Sequence, residues 1–294
     1  MTAIASVPLE IVLLLVTGLV AGRGVLRTAL TIPLVIACLA LPLFLPRDPA
    51  WLRGLLALGS QLAVLRTIEV RAMRVPPSTP MRMFAFVAPL DAFAVRFARP
   101  RIDVAGIAFA IVAWLVGGLG GMIALSAPMG TWRWPIAALG CFVFMVGAMD
   151  ALAATLRALL RAVGIESLAV QDFPFRSRTV AELWNRRWNR AVGAWLRRFC
   201  YAPLARRGHV GLGLVAAFAA SAWIHFWPVL VAVGLVPALA MAGFFFAQAL
   251  LIAIETRLGV ARWPAPAAHA WTVTAMLATS PLFCVPMLLV LGFR

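Results

Sequence analysis

The chain has 294 residues, 64% of them hydrophobic, and a mean hydropathy of +0.98; a soluble domain is nearer half apolar, so an ordinary soluble fold is excluded in favour of a polytopic membrane protein. Its 26 basic side chains, all arginine, face 10 acidic ones, for a net charge of +16. Because the arginines fall between apolar runs, this charge reads as membrane topology with an anionic substrate layered on it, and not as nucleic-acid binding.

In chain order, runs approaching the ~20 apolar residues that a span requires occupy 5–22, 28–46, 50–65, 104–127, 134–155, 209–229, 235–256 and 267–291. They predict an all-α polytopic fold of about eight spans (seven to nine) with interfacial amphipathic helices, in one membrane domain covering 1–294. No basic residue precedes Arg23, so the first run reads as a span and not as a cleaved signal. The third run is short and holds Arg53, which also fits a tilted or half-buried helix. With eight spans and the N-terminus outside, segments 23–27, 66–103, 156–208 and 257–266 share the cytoplasmic side and carry 22 of the 26 arginines. That asymmetry follows the positive-inside rule. Compactness and arginine content point to a bacterial inner membrane.

Between the spans, RMFAFVAPLDAFAVRFARP (82–100) reads as an interfacial helix, and GGLGG (117–121) as a close-packing seam. In 179–201, Trp184, Trp188, Val192, Trp195 and Phe199 recur every three or four residues, predicting one face of a surface helix with its tryptophans at headgroup depth. Glu182, Arg186, Asn189, Arg190 and Arg197 fall on its other faces.

The next apolar run carries His225 between Trp223, Ile224, Phe226 and Trp227, roughly 24 Å from the cytoplasmic end at 1.5 Å per residue. An imidazole at that depth is costly and marks a function or a specific buried partner. His209 and His269 stand at span ends and read as interfacial. Among the carboxylates in or near spans, Asp150 precedes Arg157 and Glu255 precedes Arg257, so ion pairing is expected of both. Cys38, Cys141, Cys200 and Cys284 form no CxxC pair or His/Cys cluster, so neither a disulfide framework nor a metal site is expected. Paired-aspartate, GxSxG, HExxH and P-loop motifs are absent.

The segment FPFRSRTVAELWNRRWNRAVGAWLRRFCYAPL (173–204) supplies Leu183-Trp184, Arg186-Arg187, Trp188-Asn189 and Tyr201-Ala202-Pro203. With Ser221-Ala222-Trp223-Ile224-His225 and the closing SPLFCVPML (280–288), it resembles the membrane-bound O-acyltransferase superfamily, most of all its wax synthase-like branch, over about 173–290. The resemblance implies acyl transfer from acyl-CoA, a co-substrate and not a bound cofactor, to the hydroxyl of a hydrophobic alcohol. It makes His225 the general base and Asn189 its polar partner. It places Arg186, Arg187, Arg190, Trp184, Trp188 and Ser221 in contact with acyl-CoA, and makes the bilayer, acyl-CoA and the alcohol the partners. Two positions depart from the family: Phe226, often acidic in relatives, and Ala222, usually glycine. The competing reading is a proton-coupled transporter or flippase of an anionic or lipidic substrate, with His225 as coupling site.

Overall fold

The computed structural model describes residues 6–75, 77–87, 96–166 and 170–293. In order, the helices are α1 (Ser6–Val20), α2 (Val25–Ala40), α3 (Ala50–Ala72), α4 (Thr79–Val87), α5 (Val104–Leu125) and α6 (Arg133–Ala162). They continue with α7 (Val180–Glu182), α8 (Arg190–Leu196), α9 (Ala202–Ala205), α10 (Val210–Val233), α11 (Leu235–Leu258), α12 (Ala265–Thr279) and α13 (Pro281–Val290). All eight predicted runs are helical, and the chain is an all-α membrane protein. Among the described residues, five helices are long and apolar enough to cross a bilayer: Val25–Phe44, α5, α6, α10 and α11. The α12–α13 pair, bent by 45°, makes a sixth if it counts as one span. Of the eight predicted spans, α1 and α3 fall outside that set. The first has only 15 residues, and the second runs past 65 through Arg66, Glu69 and Arg71.

Three packing units emerge. In the first, α1 lies against α2, α3 and α4, with Ser6, Glu10, Leu14 and Thr17 on its buried face. The second is the α5–α6 hairpin. A Cβ at Gly120 would lie 2.4 Å from the Phe144 backbone nitrogen, and one at Gly147 would lie 2.5 Å from that of Gly117. The predicted small-residue seam is therefore what lets these two backbones touch. The third unit is α10, α11 and α13 around Phe218, Met241, Phe244 and Phe245. Helix α3 joins the first unit to α10, and α13 joins α6 to the third.

Two arginines, Arg82 in a connection and Arg53 in the third run, have work beyond topology. Arg82 donates to the carbonyls of Gly18 and Leu19, two of the last acceptors of α1, and Arg53 donates to those of Pro42 and Leu43 beyond α2. The final carbonyls of a helix have no partner within it, so a guanidinium there is favourable. Helix α4 is consequently packed onto α1 at Gly18, with Arg82, Ala85 and Phe86 buried, so the face predicted over 82–100 to rest on lipid meets protein here. Residues 88–95 of that expected helix lie outside the described residues. Beyond them the chain is extended: β1 (Arg96–Phe97) pairs antiparallel with β2 (Ile165–Glu166), Arg96 opposite Glu166. This short ladder, fastened by Arg101–Glu166 at 2.6 Å, ties the two long connections together.

The second correction concerns 179–201, which is not one helix. After α7 the chain makes a π-helical turn over Leu183–Arg187, becomes extended at Trp188, and turns left-handed at Asn189 (φ 36). It then resumes as α8, a second π-turn (Arg197–Tyr201) and α9. Asparagine tolerates the left-handed region better than most residues. The break re-aims the tryptophans, so a continuous 3.6-residue face does not form.

Candidate functional site

His225 lies two-thirds of the way along α10. Its Nδ1 is 2.8 Å from the Ser221 carbonyl one turn earlier. A carbonyl can only accept, so Nδ1 carries a proton, and in the neutral form of the ring Nε2 presents its lone pair. The imidazole packs on Phe245 of α11, with centroids 4.3 Å apart, and lies 6.3 Å from Phe283 of α13. Ser221, expected to contact substrate through its position in the motif, orients the histidine through its backbone. The peptide just before His225 is also held. Gln61 of α3 donates from Nε2 to the Ile224 carbonyl at 2.7 Å.

The motif segment is fastened against this core at several points. Glu255, near the end of α11, accepts the Val180 and Ala181 backbone N–H groups at 2.8 and 2.7 Å and the Trp271 indole N–H at 3.3 Å. It therefore holds the start of α7 and makes no ion pair with Arg257. His269 donates to the Ser177 carbonyl at 3.1 Å, a specific contact beyond the expected interfacial role. Trp184 points inward: its ring meets Trp188, Phe218, Phe244 and Phe245, and its N–H donates to Gln248 at 3.3 Å. Gln248 in turn donates to Thr279 at 2.9 Å. Trp184 is thus a core wedge sharing Phe245 with His225, and not a headgroup anchor.

Asn189 caps α8. Its side-chain oxygen accepts the Val192 N–H at 3.3 Å, and its backbone N–H donates to Gln171 at 3.1 Å. Among the described residues no hydrogen bond links Asn189 to His225. The arginines divide. Arg187 pairs with Glu182 at 2.7 Å, Arg197 donates to the Asn185 carbonyl, and Arg198 lies over Phe199. Arg186 is exposed, and an open cleft of ≈ 330 Å³ is lined by Arg178, Thr179, Ala181, Glu182, Asn185, Arg186 and Ala261. Among the described residues the guanidinium groups of Arg186 and Arg190 have no hydrogen-bond or ion-pair partner, which leaves them available to an anion, while the Arg190 backbone N–H donates to the Val170 carbonyl at 2.8 Å. The Glu182 carboxyl is partly desolvated, but the Arg178 backbone N–H and the Arg187 guanidinium outweigh this and hold it below the usual carboxylate range.

Sequence reasoning singled out neither Gln61 nor Gln248. The available signal was a primary amide inside an apolar helix, which lipid disfavours unless a partner helix bonds it. Two carboxylates remain without such partners. Glu10 is 3% exposed and its Oε2 is unbonded among the described residues; Asp150, expected to pair with Arg157, has an unbonded Oδ1. No group of three His, Cys, Asp or Glu among the described residues could hold a metal ion. No protein-family model and no curated protein matches this chain.

Proposed function

We propose that the protein is a membrane O-acyltransferase of wax synthase-like type, transferring an acyl group from acyl-CoA to a hydrophobic alcohol. In this reading α1 and α3 complete an eight-span arrangement in a bacterial inner membrane, with the arginine-rich connections on the cytoplasmic face. The observation that carries the reading is the His225 geometry: an imidazole committed through Nδ1, with a basic Nε2 in an aromatic, water-poor setting. Such a group takes the proton of an alcohol as the hydroxyl oxygen bonds to the thioester carbon. The tetrahedral intermediate then collapses, the carbon–sulfur bond breaks, and the imidazolium returns the proton to the departing CoA thiolate. The apolar surroundings of Phe244, Phe245 and Phe283 limit competition by water. Arg186 and Arg190 are the arginines with capacity left for the CoA phosphates, whereas Arg187 is engaged by Glu182. Trp184 and Trp188 brace the motif against α10 and α11.

The test is incubation of the purified protein in nanodiscs with labelled acyl-CoA and a panel of fatty, terpenoid and aromatic alcohols, reading ester and free CoA. His225→Ala should lower ester formation by at least ~100-fold, the usual contribution of a general base, while the protein still inserts and elutes as a folded species. Ester formed by His225→Ala at the wild-type rate would overturn the assignment. Flux driven by a pH gradient with no ester would favour the carrier reading.

A further inference from the structure

We infer that Gln61, on the N-terminal half of the chain, is a positioning residue for the His225 base. The inference rests on the acyltransferase reading, but its cause is local. Pro228 lies inside α10 and has no N–H. The carbonyl one turn earlier, that of Ile224, therefore lacks the donor that a regular helix supplies. An unbonded carbonyl in an apolar interior is expensive, and a membrane helix tolerates proline only where a neighbour replaces the lost bond. Gln61 replaces it from α3, at 2.7 Å, with a side chain that is 2% exposed. Helix α3 passes close to α10 at Gly54 as well, where an added Cβ would sit in ordinary contact, 3.4 Å from Ala232 and 3.6 Å from the Pro228 carbonyl.

The carbonyl that Gln61 grips belongs to the peptide unit ending at the Cα of His225. Two restraints thus act on the base. Ser221 holds the ring through Nδ1, and Gln61 holds the backbone from which the ring projects. An uncharged amide suits this position, since it supplies a donor without placing a charge in the core. Without it, the Ile224 carbonyl must find a donor by moving, and the imidazole moves with it.

The experiment is a double-mutant cycle in nanodiscs with Gln61→Met, Pro228→Ala and the combination. Methionine keeps the length of glutamine and removes the donor; alanine at 228 restores a helical N–H for Ile224. Gln61→Met should lower kcat roughly ten- to hundred-fold, as small misplacements of a catalytic group do, with KM for acyl-CoA unchanged. In the Pro228→Ala background the same substitution should change kcat less than about two-fold, a non-additivity expected of two residues acting on one carbonyl. Site-resolved modification of His225 by diethyl pyrocarbonate, read by mass spectrometry, should change in Gln61→Met and return to the Pro228→Ala value in the double variant. Unchanged kcat and unchanged His225 modification in Gln61→Met would overturn the inference, as would an equal loss in both backgrounds. If Gln61→Met does not fold, Gln61→Asn, whose amide is one methylene too short to reach the Ile224 carbonyl, takes its place in both backgrounds and is read by the same criterion. Absence of ester from the wild type with every alcohol would defeat the acyltransferase reading separately, and the His225 modification would still decide the role of Gln61.

Discussion

Asn189 sits in the left-handed region (φ 36) and caps α8 with its side-chain oxygen. Both properties are structural, and neither requires contact with substrate. They separate cleanly by substitution. Asn189→Gly keeps the backbone conformation and loses only a few tenths of a kcal/mol as a cap. Asn189→Asp keeps the acceptor and loses the amide N–H donors. Asn189→Ala loses the cap and strains the backbone, together about 2 kcal/mol. If Asn189 acts by shaping the motif, ester formation should follow stability: near wild type in Asn189→Gly and lowest in Asn189→Ala. If its amide donates to the oxyanion, Asn189→Gly and Asn189→Asp should both lose at least ~100-fold in kcat at unchanged thermal stability. Activity and detergent melting curves of the three variants distinguish the two roles.

Among the elements, the start of α5 shows how the long connections are anchored. Asp103 is its N-cap, accepting the Gly106 N–H at 3.1 Å and pairing with Arg161 of α6. The Gly106 backbone N–H, and then Arg161, hold the Asp103 carboxyl below its ordinary range against the opposing effect of burial. Because the folded value is depressed, the stabilisation is present above the unfolded value of about 3.9 and disappears as pH falls through the lower folded value. Asp103→Ala should therefore cost about 1 kcal/mol near neutral pH. Its stability curve should converge on that of the wild type in acid below the usual carboxylate range. A constant difference down to that pH would show that the cap is not the source. The same element logic explains why arginines recur at helix ends. Arg82 bonds carbonyls at the end of α1, and Arg53 adds a second donor to the Pro42 carbonyl, which also accepts the Leu45 N–H.

For the whole molecule, the arginine asymmetry and the helix order make one claim about sidedness. Met129 lies in the α5–α6 turn and Arg206 between α9 and α10, with the length of α6 between them, and both are exposed. In a Cys200→Ser background, Met129→Cys should react with an impermeant maleimide from outside right-side-out vesicles. Arg206→Cys should react only after permeabilisation. Labelling of both from the same face would exclude the proposed arrangement. The seam of Gly117, Gly120, Gly140 and Gly147 makes the α5–α6 hairpin a unit in its own right.

The long apolar helices were legible because the preference for lipid acts residue by residue along a helix, so hydropathy and length carry it. The cost of an imidazole in such a run likewise marked His225 before any neighbour was known. The hydrophobic period misled between 179 and 201, because a left-handed residue and two π-turns interrupt it and the contacts of Trp184 are all non-local. It likewise could not show that α4 is buried on α1, since Gly18 and Arg82 are distant in sequence. Tertiary structure alone decided which hydrogen-bonding groups meet. Glu255 reaches the start of α7 and Gln248 reaches Trp184, while Asn189 spends its oxygen on α8. It also decided that Gln61 takes the carbonyl freed by Pro228. Apart from the local Asn189 cap, each of these is a polar partnership across helices, which leaves no period in a sequence. It is set only when two helices are close enough for one to supply the donor that the other lacks.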